Sequence, residues 1–192
     1  MLIIGEGTLC LMDGADAAIR SGEMDAIKQI SYTIKDIYNL PEGKRAELIN
    51  GQIYMMAPPS TKHQKLISAL HGKIYNYIES HNGNCEIIPA PFAVFLKDND
   101  ENESYVEPDI SVICDPDKID DKGCHGSPDW IIEIVSSSSR KMDYSRKQFL
   151  YLEAGVLEHW IVDPIKETIL IYRQSEDWVP LFARFGEKVK SG

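Results

Sequence analysis

Apolar residues recur at helical spacing in two stretches of the chain. A helix is predicted over about residues 63–80, because apolar side chains return there every three or four positions, at Leu66, Ile67, Leu70, Ile74 and Ile78. A second helix is predicted over about residues 144–154, with Asp143 as its N-cap and Gly155 just after its end. A short helix or turn is predicted within residues 32–39, before Pro41.

The remaining apolar positions form short β-branched runs bounded by turn residues. Asn50-Gly51 suits the positive φ angles of a type I′ turn and predicts a hairpin in which Glu47 faces Tyr54. Residues 97–107 are rich in acids and are predicted to form a solvated loop. Further strands are predicted at residues 87–96, 108–114, 130–135, 160–162, 168–172 and 178–182.

This order of elements predicts an α+β fold, a mixed β-sheet flanked by helices. With 192 residues, of which 43% are apolar, the chain is long enough for one domain with a substantial core. Residues 1–30 show no sustained period and are interpreted as an N-terminal extension. Residues 31–192 are interpreted as the domain.

Composition narrows the expected surroundings and partners. The formal net charge of -10 opposes non-specific attraction to nucleic acid, so any such binding needs a local basic patch. The four cysteines show neither CxxC spacing nor a paired Cys/His zinc pattern, which favours a reducing cytoplasm. No signal peptide is evident, and no stretch approaches the roughly 20 apolar residues of a membrane span. A cytoplasmic protein without membrane partners is therefore expected.

Two acids interrupt neighbouring apolar strands. Asp109 opens the run Ile110–Cys114, and Glu133 lies in the middle of Trp130–Val135. An ionised carboxylate buried without a partner is so costly that it normally takes up a proton, pairs with a cation or binds a metal. Asp109 alone also fits a simple cap or turn acceptor after Pro108. Glu133 fits a functional role better, because pairing with a buried cation would add little net stability.

The two acids predict a site for a hard cation. If the strands are neighbours, both carboxylates can converge on one Mg²⁺ or Mn²⁺, ions that prefer oxygen ligands. Such a cation lowers the pKa of a bound water and neutralises charge on a phosphate, as in metal-assisted phosphodiester hydrolysis.

Lys147 is the candidate cation from the protein. Its spacing from Leu150, Tyr151 and Ala154 places it on or beside the apolar face of the second helix. The alternative is that Lys147 extends to water and pairs with Asp143 one turn earlier. A nearby basic cluster, formed by Arg140, Lys141 and Arg146, fits either a phosphate backbone or a solvated helix start.

Several motifs together resemble the Uma-type putative restriction endonuclease family, which is placed in the PD-(D/E)XK nuclease superfamily. The similarity extends over about Tyr32 to Tyr172 and implies a restriction-endonuclease-like core. The motifs, in order, are Glu47-Leu-Ile-Asn-Gly, Glu107-Pro-Asp-Ile-Ser-Val, Pro128-Asp-Trp-Ile-Ile-Glu-Ile-Val-Ser, Asp143-x-x-x-Lys147-x-x-x-Tyr151, Ala154-Gly-Val and His159-Trp-Ile-Val-Asp-Pro164.

The resemblance assigns expected roles by position. It implies that Glu47, Asp109 and Glu133 hold the metal. In the superfamily pattern a lysine follows two residues after the second acid, but that position here is Val135. The family is thought to supply the lysine from the next helix, which implies Lys147.

The leading hypothesis is therefore a Mg-dependent endonuclease that acts on DNA, with Mn²⁺ as an alternative metal. Its catalytic residues would be Glu47, Asp109, Glu133 and Lys147, and a homodimer is expected if both strands are cut. One alternative is a nuclease-like interaction or regulatory module without hydrolysis, which the acidic net charge favours. Another is a hydrolase of a small phosphoester, which would need a closed pocket.

Overall fold

A computed structural model describes residues 31–97 and 103–191 of the chain. The predicted extension over residues 1–30 lies outside these described residues. The helices are α1 (Ile34–Tyr38), α2 (Thr61–Ser80) and α3 (Lys147–Glu153). The strands are β1 (Ala46–Ile49), β2 (Gln52–Met55), β3 (Glu86–Pro89), β4 (Val94–Lys97), β5 (Glu103–Val106), β6 (Ile110–Ile113), β7 (Ile119–Asp120), β8 (Gly123–His125), β9 (Trp130–Ile134), β10 (Glu158–Asp163), β11 (Thr168–Arg173) and β12 (Leu181–Arg184).

The strands form two six-stranded mixed sheets. The first has the order β2-β1-β5-β4-β8-β7, and the second has the order β12-β11-β10-β9-β6-β3. Each sheet contains one parallel pair, β4 with β8 and β9 with β10, among antiparallel neighbours. The predicted α+β class with mixed sheets is confirmed, although the strand pattern had suggested one sheet and the chain divides its strands between two.

The predicted hairpin forms with the predicted register. β1 and β2 are antiparallel, and Glu47 lies opposite Tyr54. Asn50 and Gly51 have φ angles of 49° and 71°, as a type I′ turn requires. A Cβ at Gly51 would also lie against the side chain of Ser31, whose hydroxyl would have to rotate away.

Two predictions about strands are wrong in detail. The stretch 87–96 is two strands, because the chain leaves the second sheet after β3 and enters the first at β4, with a cis Ala90–Pro91 bond between them. The predicted acidic loop contains β5, which lies between β1 and β4. Its residues Ser104 and Val106 are buried, whereas Glu103 is exposed. The acidic residues concealed this alternation.

The two longer helices differ in how they begin. The Ser60 hydroxyl accepts a hydrogen bond from the backbone N–H of His63 and caps α2. The second predicted helix opens with a π-helical turn, Met142–Arg146, that leads into α3. Asp143 lies inside this turn and its side chain is buried, so the prediction that it is the N-cap is wrong. Gly155, with φ 83°, follows the end of α3 as predicted.

One hydrophobic core joins the two sheets and α3. Residues of the first sheet contact residues of β6, β9 and α3 in a single buried cluster, made of Ile49, Val94, Leu96, Val106, Ile113, Cys124, Ile131, Leu150, Tyr151 and Val156. A second cluster lies on the opposite face of the second sheet, where α2 packs through Ile67. Strand β9 is therefore covered on both faces, which fixes its side chains in position.

A disulfide links Cys85 and Cys114 at the end of the β3–β6 pair. These residues are one position beyond the paired Glu86 and Ile113, so they face each other across neighbouring strands. The cysteine spacing did not indicate this pairing. Disulfides are uncommon in a reducing cytoplasm, so this pair does not favour the predicted cytoplasmic location. That location stays a prediction.

Candidate active site

The pairing of β6 with β9 brings the two predicted acids side by side. Ile110 lies opposite Ile132 in this antiparallel pair, which makes Asp109 and Glu133 the next positions along the two strands. Asp109 is also tied to the neighbouring strand directly, because its Oδ2 accepts a hydrogen bond of 2.7 Å from the N–H of Ile134. Asp109 therefore lies beside Glu133, and the backbone N–H that it binds belongs to the neighbouring strand β9 and not to a local cap or turn.

Glu133 is buried on the face of the second sheet that meets the first sheet and α3. Its side chain is about 4% exposed. One oxygen, Oε1, accepts hydrogen bonds from the Lys147 ammonium at 3.0 Å and from the Tyr151 hydroxyl at 2.5 Å. Both donors project from the helical segment that follows β9, so β9 and α3 together fix the position of the Glu133 carboxylate.

Glu47 comes from the other sheet. It lies in β1, is 5% exposed, and its Oε1 accepts a hydrogen bond of 3.0 Å from the backbone N–H of Glu107. The same oxygen lies 2.8 Å from the ammonium of Lys147. The hairpin predicted from Asn50-Gly51 thus delivers a carboxylate to the junction of the two sheets.

Lys147 connects the two sheets through a single buried ammonium. Its side chain is 5% exposed and contacts Glu47 and Glu133 at the same time. The alternative orientation, toward water with Asp143 as its partner, is not adopted. A buried cation must be paired to be tolerated, and two carboxylates meet that need here.

The three predicted metal ligands share one pattern of hydrogen bonding. Each carboxylate is held through one oxygen by two donors, and the acceptors are Oε1 of Glu47, Oδ2 of Asp109 and Oε1 of Glu133. Within the described residues, the second oxygen of each group is the one left for another partner. A carboxylate fixed at one oxygen is oriented in advance for whatever the other oxygen binds.

Negative charge is in excess at this site. Asp143, one turn before Lys147, is 2% exposed and is a fourth acid near the other three. Burial, together with the charges of Asp143, Asp109 and Glu47, raises the pKa of Glu133 to about 8 against the effect of Lys147. Burial likewise raises the pKa of Asp143 to about 6. Four carboxyl groups face one lysine, so the cluster favours a further positive charge.

The carboxylates also determine the state of the lysine. Burial by itself would lower the pKa of Lys147, but the charges of Glu133 and Glu47 outweigh it and raise that pKa well above its ordinary value. Lys147 is therefore a fixed positive charge across the physiological pH range. It can donate hydrogen bonds but has no lone pair with which to accept a proton.

His63 is a site residue that the sequence did not reveal. It lies in the first turn of α2, and its Nε2 is 3.1 Å from Oδ2 of Asp109 and 3.0 Å from the carbonyl oxygen of Ile134. The hydrogen bond to Asp109 is the main cause that raises the pKa of His63. His63 therefore contacts both Asp109 and the last residue of β9. His125, by contrast, lies in β8, where it pairs with Asp120 and stacks on Phe95.

The donor set fits a hard divalent cation in its chemistry. Its ligands would be carboxylate oxygens, and the surplus negative charge described above is what a divalent cation would neutralise. Within residues 31–97 and 103–191, no three His, Cys, Asp or Glu side chains are grouped in an arrangement that would hold a metal ion directly. In this arrangement the Lys147 ammonium lies between Glu47 and Glu133.

Comparison with a solved structure defines the class of fold. A crystal structure of a putative nuclease belonging to DUF820, from Anabaena variabilis, is similar with a TM-score of 0.66 and 20% sequence identity. The similarity covers 83% of this chain and 88% of that one. The chain therefore shares the fold of that putative nuclease.

The family follows from the sequence comparisons. The family model Uma2, described as "Putative restriction endonuclease", matches residues 34–191, and the chain belongs to this family. An uncharacterized protein of Synechocystis sp. is 26% identical over 135 residues, which are 70% of this chain and 68% of that protein. In the part of the chain that the structure describes, no helix has the length and apolar character needed to cross a membrane.

Proposed function

We propose that the protein is a metal-dependent nuclease that hydrolyses phosphodiester bonds, with DNA as its preferred substrate. The observation that carries this proposal is the convergence of Glu47, Glu133 and Lys147 at one buried point, with Asp109 beside Glu133. These residues come from two sheets and one helix. Membership of the Uma2 family and the nuclease-like fold support the same activity.

The carboxylates of Glu47, Asp109 and Glu133 would hold Mg²⁺, with Mn²⁺ as a substitute. When bound, the metal supplies a Lewis acid that neutralises charge on the scissile phosphate and lowers the pKa of a coordinated water. The hydrogen bonds to one oxygen of each carboxylate keep the second oxygens oriented. This prior orientation reduces the reorganisation needed when substrate binds.

Lys147 would position the attacking water and stabilise the charge that develops on the phosphate. Its raised pKa keeps the ammonium charged, so it would act as a hydrogen-bond donor and not as a general base. Tyr151, which donates to the carboxylate of Glu133, would be a positioning residue.

Plasmid cleavage tests the proposal. Wild type with Mg²⁺ or Mn²⁺ should convert supercoiled plasmid to nicked or linear forms, and Glu133→Gln should be slower by at least about 100-fold, because a metal contributes several kcal/mol to the transition state. Glu79→Gln, an exposed acid at the end of α2, is the matched control and should cut normally. Equal activity of wild type and Glu133→Gln would overturn the assignment.

Cleavage of both strands would call for two copies of the active site, so a homodimer is part of this proposal. Sedimentation of the protein alone and with a short duplex tests it. A monomer in both samples would contradict the dimer without affecting the chemistry.

One observation favours a second function, a nuclease-like interaction or regulatory module without hydrolysis. Lys147 already pairs with Glu47 and Glu133, so a protein of this arrangement is electrostatically satisfied in part without a metal. Calorimetric titration of wild type with MgCl₂ separates the two functions. Heat of binding that is lost in Glu133→Gln supports the nuclease, and no heat in wild type supports the interaction module.

A further inference from the structure

A concavity of about 660 Å³ lies beside the start of the helical segment that carries Lys147. We call it the basic cleft, and it is lined by Ser137, Ser138, Arg140, Lys141, Tyr144 and Lys166, among others. The loop that contributes its serines follows β9, and Lys166 follows β10. The basic cleft is outside the acid cluster, and the residues of the proposed reaction do not line it.

The charge of the basic cleft is opposite to that of the whole chain. Its charged lining residues are Arg140, Lys141 and Lys166, whereas the formal net charge of the protein is -10. A second concavity, beside β1 and α3, is lined by both a cation, Arg146, and an acid, Glu153. The basic cleft is therefore the local positive surface that a protein of this composition needs to attract a polyanion.

Arg140 is held rigidly in the basic cleft. Its guanidinium donates a hydrogen bond of 2.7 Å to Oδ2 of Asp163, a fully buried carboxylate that also accepts from the Tyr144 hydroxyl. Burial alone would raise the pKa of Asp163, but hydrogen bonds from Lys166 N–H, Arg140 and Tyr144 lower it below its usual value. Asp163 thus stays ionised and fixes Arg140, whose side chain remains 33% exposed.

The basic cleft and the acid cluster lie at the same end of the second sheet. Strands β9 and β10 are parallel, so their last residues, Ile134 and Asp163, lie at the same end of the second sheet. Two consecutive residues of α2 contact this end of the sheet. Lys62 donates a hydrogen bond of 2.8 Å to the carbonyl oxygen of Pro164, and His63 contacts both Asp109 and Ile134.

We propose that the basic cleft binds the phosphate backbone of the nucleic acid whose phosphodiester bond lies at the acid cluster, and this inference rests on the proposed function. Lysine and arginine charges with serine and tyrosine hydroxyls are the donors that typically contact phosphate and sugar oxygens. Such contacts position a strand without reading its sequence. The cleft is thus a site for duplex or single-stranded backbone and carries no base specificity.

Binding of a fluorescent DNA duplex tests the cleft. Fluorescence anisotropy is measured in EDTA over a series of KCl concentrations, so that no strand is cut. Removing two phosphate contacts in Lys141→Gln/Lys166→Gln should weaken binding at least about tenfold at low salt and reduce the slope of log K against log salt by about two. Both lysines are exposed, so the variant is expected to fold, and its thermal unfolding is measured alongside.

Two variants control for total charge. Lys35→Gln/Lys73→Gln removes the same charge from exposed positions on α1 and α2 and should bind as wild type does. Lys141→Arg/Lys166→Arg keeps the charge in the cleft and should retain the slope. If wild type cleaves plasmid but Lys141→Gln/Lys166→Gln has the same slope of log K against log salt as wild type, the proposed role of the basic cleft is overturned and the proposed function is not. A wild type that neither binds nor cleaves overturns the cleft and the proposed function together.

Discussion

The ammonium of Lys147 lies 3.0 Å from Oε1 of Glu133, although the two residues are 14 positions apart in the chain. The position two residues after Glu133, where the superfamily pattern has a lysine, is Val135, whose side chain is buried. The helical segment after β9 returns across the sheet and supplies the cation from a different direction. The departure from the sequence pattern therefore leaves a lysine next to the acid.

Lys147→Met should lose both cleavage and stability. Without the ammonium, Glu47 and Glu133 are buried without a cation, and breaking a buried ion pair costs about 3–5 kcal/mol. Chemical denaturation near neutral pH measures this loss, and the deficit should shrink in acid, where the carboxyls take up protons. Lys73→Met, on the exposed side of α2, is the control and should lose little. If Lys147→Met is as stable as wild type at neutral pH, Lys147 does not pair with Glu47 and Glu133 in solution.

Tyr151→Phe should be destabilised by about 1–3 kcal/mol, because it removes a buried donor and leaves Oε1 of Glu133 with one hydrogen bond fewer. The ring and its core contacts remain, so the fold should be unchanged. Urea unfolding measures the difference. Tyr77→Phe, at an exposed position of α2, is expected to be neutral. If both variants unfold at the same urea concentration as wild type, the Tyr151 hydroxyl does not bond to Glu133 in solution.

His63→Ala should reduce cleavage about 10- to 100-fold, the usual effect of removing a residue that orients a metal ligand. The physical reason is that Asp109 would keep its hydrogen bond from Ile134 but lose the one from His63. The measurement is the initial cleavage rate over a range of Mg²⁺ concentrations, and the variant should need more metal. His71→Ala, in the same helix, should resemble wild type. A His63 variant with unaltered metal dependence would remove His63 from the site.

His159 should make the protein less stable in acid. It is completely buried, and burial followed by the charge of Lys147 lowers its pKa to about 3. The unfolded histidine has a pKa of about 6.5, so between these values only the unfolded chain binds the proton, and stability falls as the pH drops below about 6.5.

The matching variant is His159→Phe, which keeps a ring but cannot take up a proton. Between about pH 7.5 and about pH 5, its free energy of unfolding should change by about 2 kcal/mol less than that of wild type. Urea unfolding at the two pH values measures this difference. An identical pH dependence in both proteins would show that the buried histidine does not titrate on unfolding.

Local sequence patterns predicted much of the side of the α3 segment that points toward Glu133. Asp143, Lys147 and Tyr151 are spaced four residues apart, so one helical segment presents all three on the same side, toward Glu133. The same spacing could have shown that Asp143 points inward, but an acid before an apolar run is also typical of an N-cap. Propensity alone does not separate these two roles, because the π-helical turn begins earlier than the pattern suggests.

The residues that come from distant parts of the chain could not be predicted in this way. Glu47 reaches the site because β1 pairs with β5, which the acidic composition of residues 97–107 concealed. His63 reaches Asp109 through the packing of α2 on the second sheet, a contact that depends on tertiary geometry. For Glu47 the family resemblance supplied what periodicity could not.

The parallel pairing of β9 with β10 has a consequence for how this family can change. The acids are anchored within or beside buried strands, whereas the basic cleft is lined by the loops that leave β9 and β10 and by the first residues of the helical segment that carries Lys147. Loops tolerate substitution and insertion far better than buried strands do. Under the proposed function, exchange of the exposed lining residues Ser137, Ser138 and Lys166 would change the affinity for a phosphate backbone while Lys147 and the acids stay in place, which also offers a route to engineering.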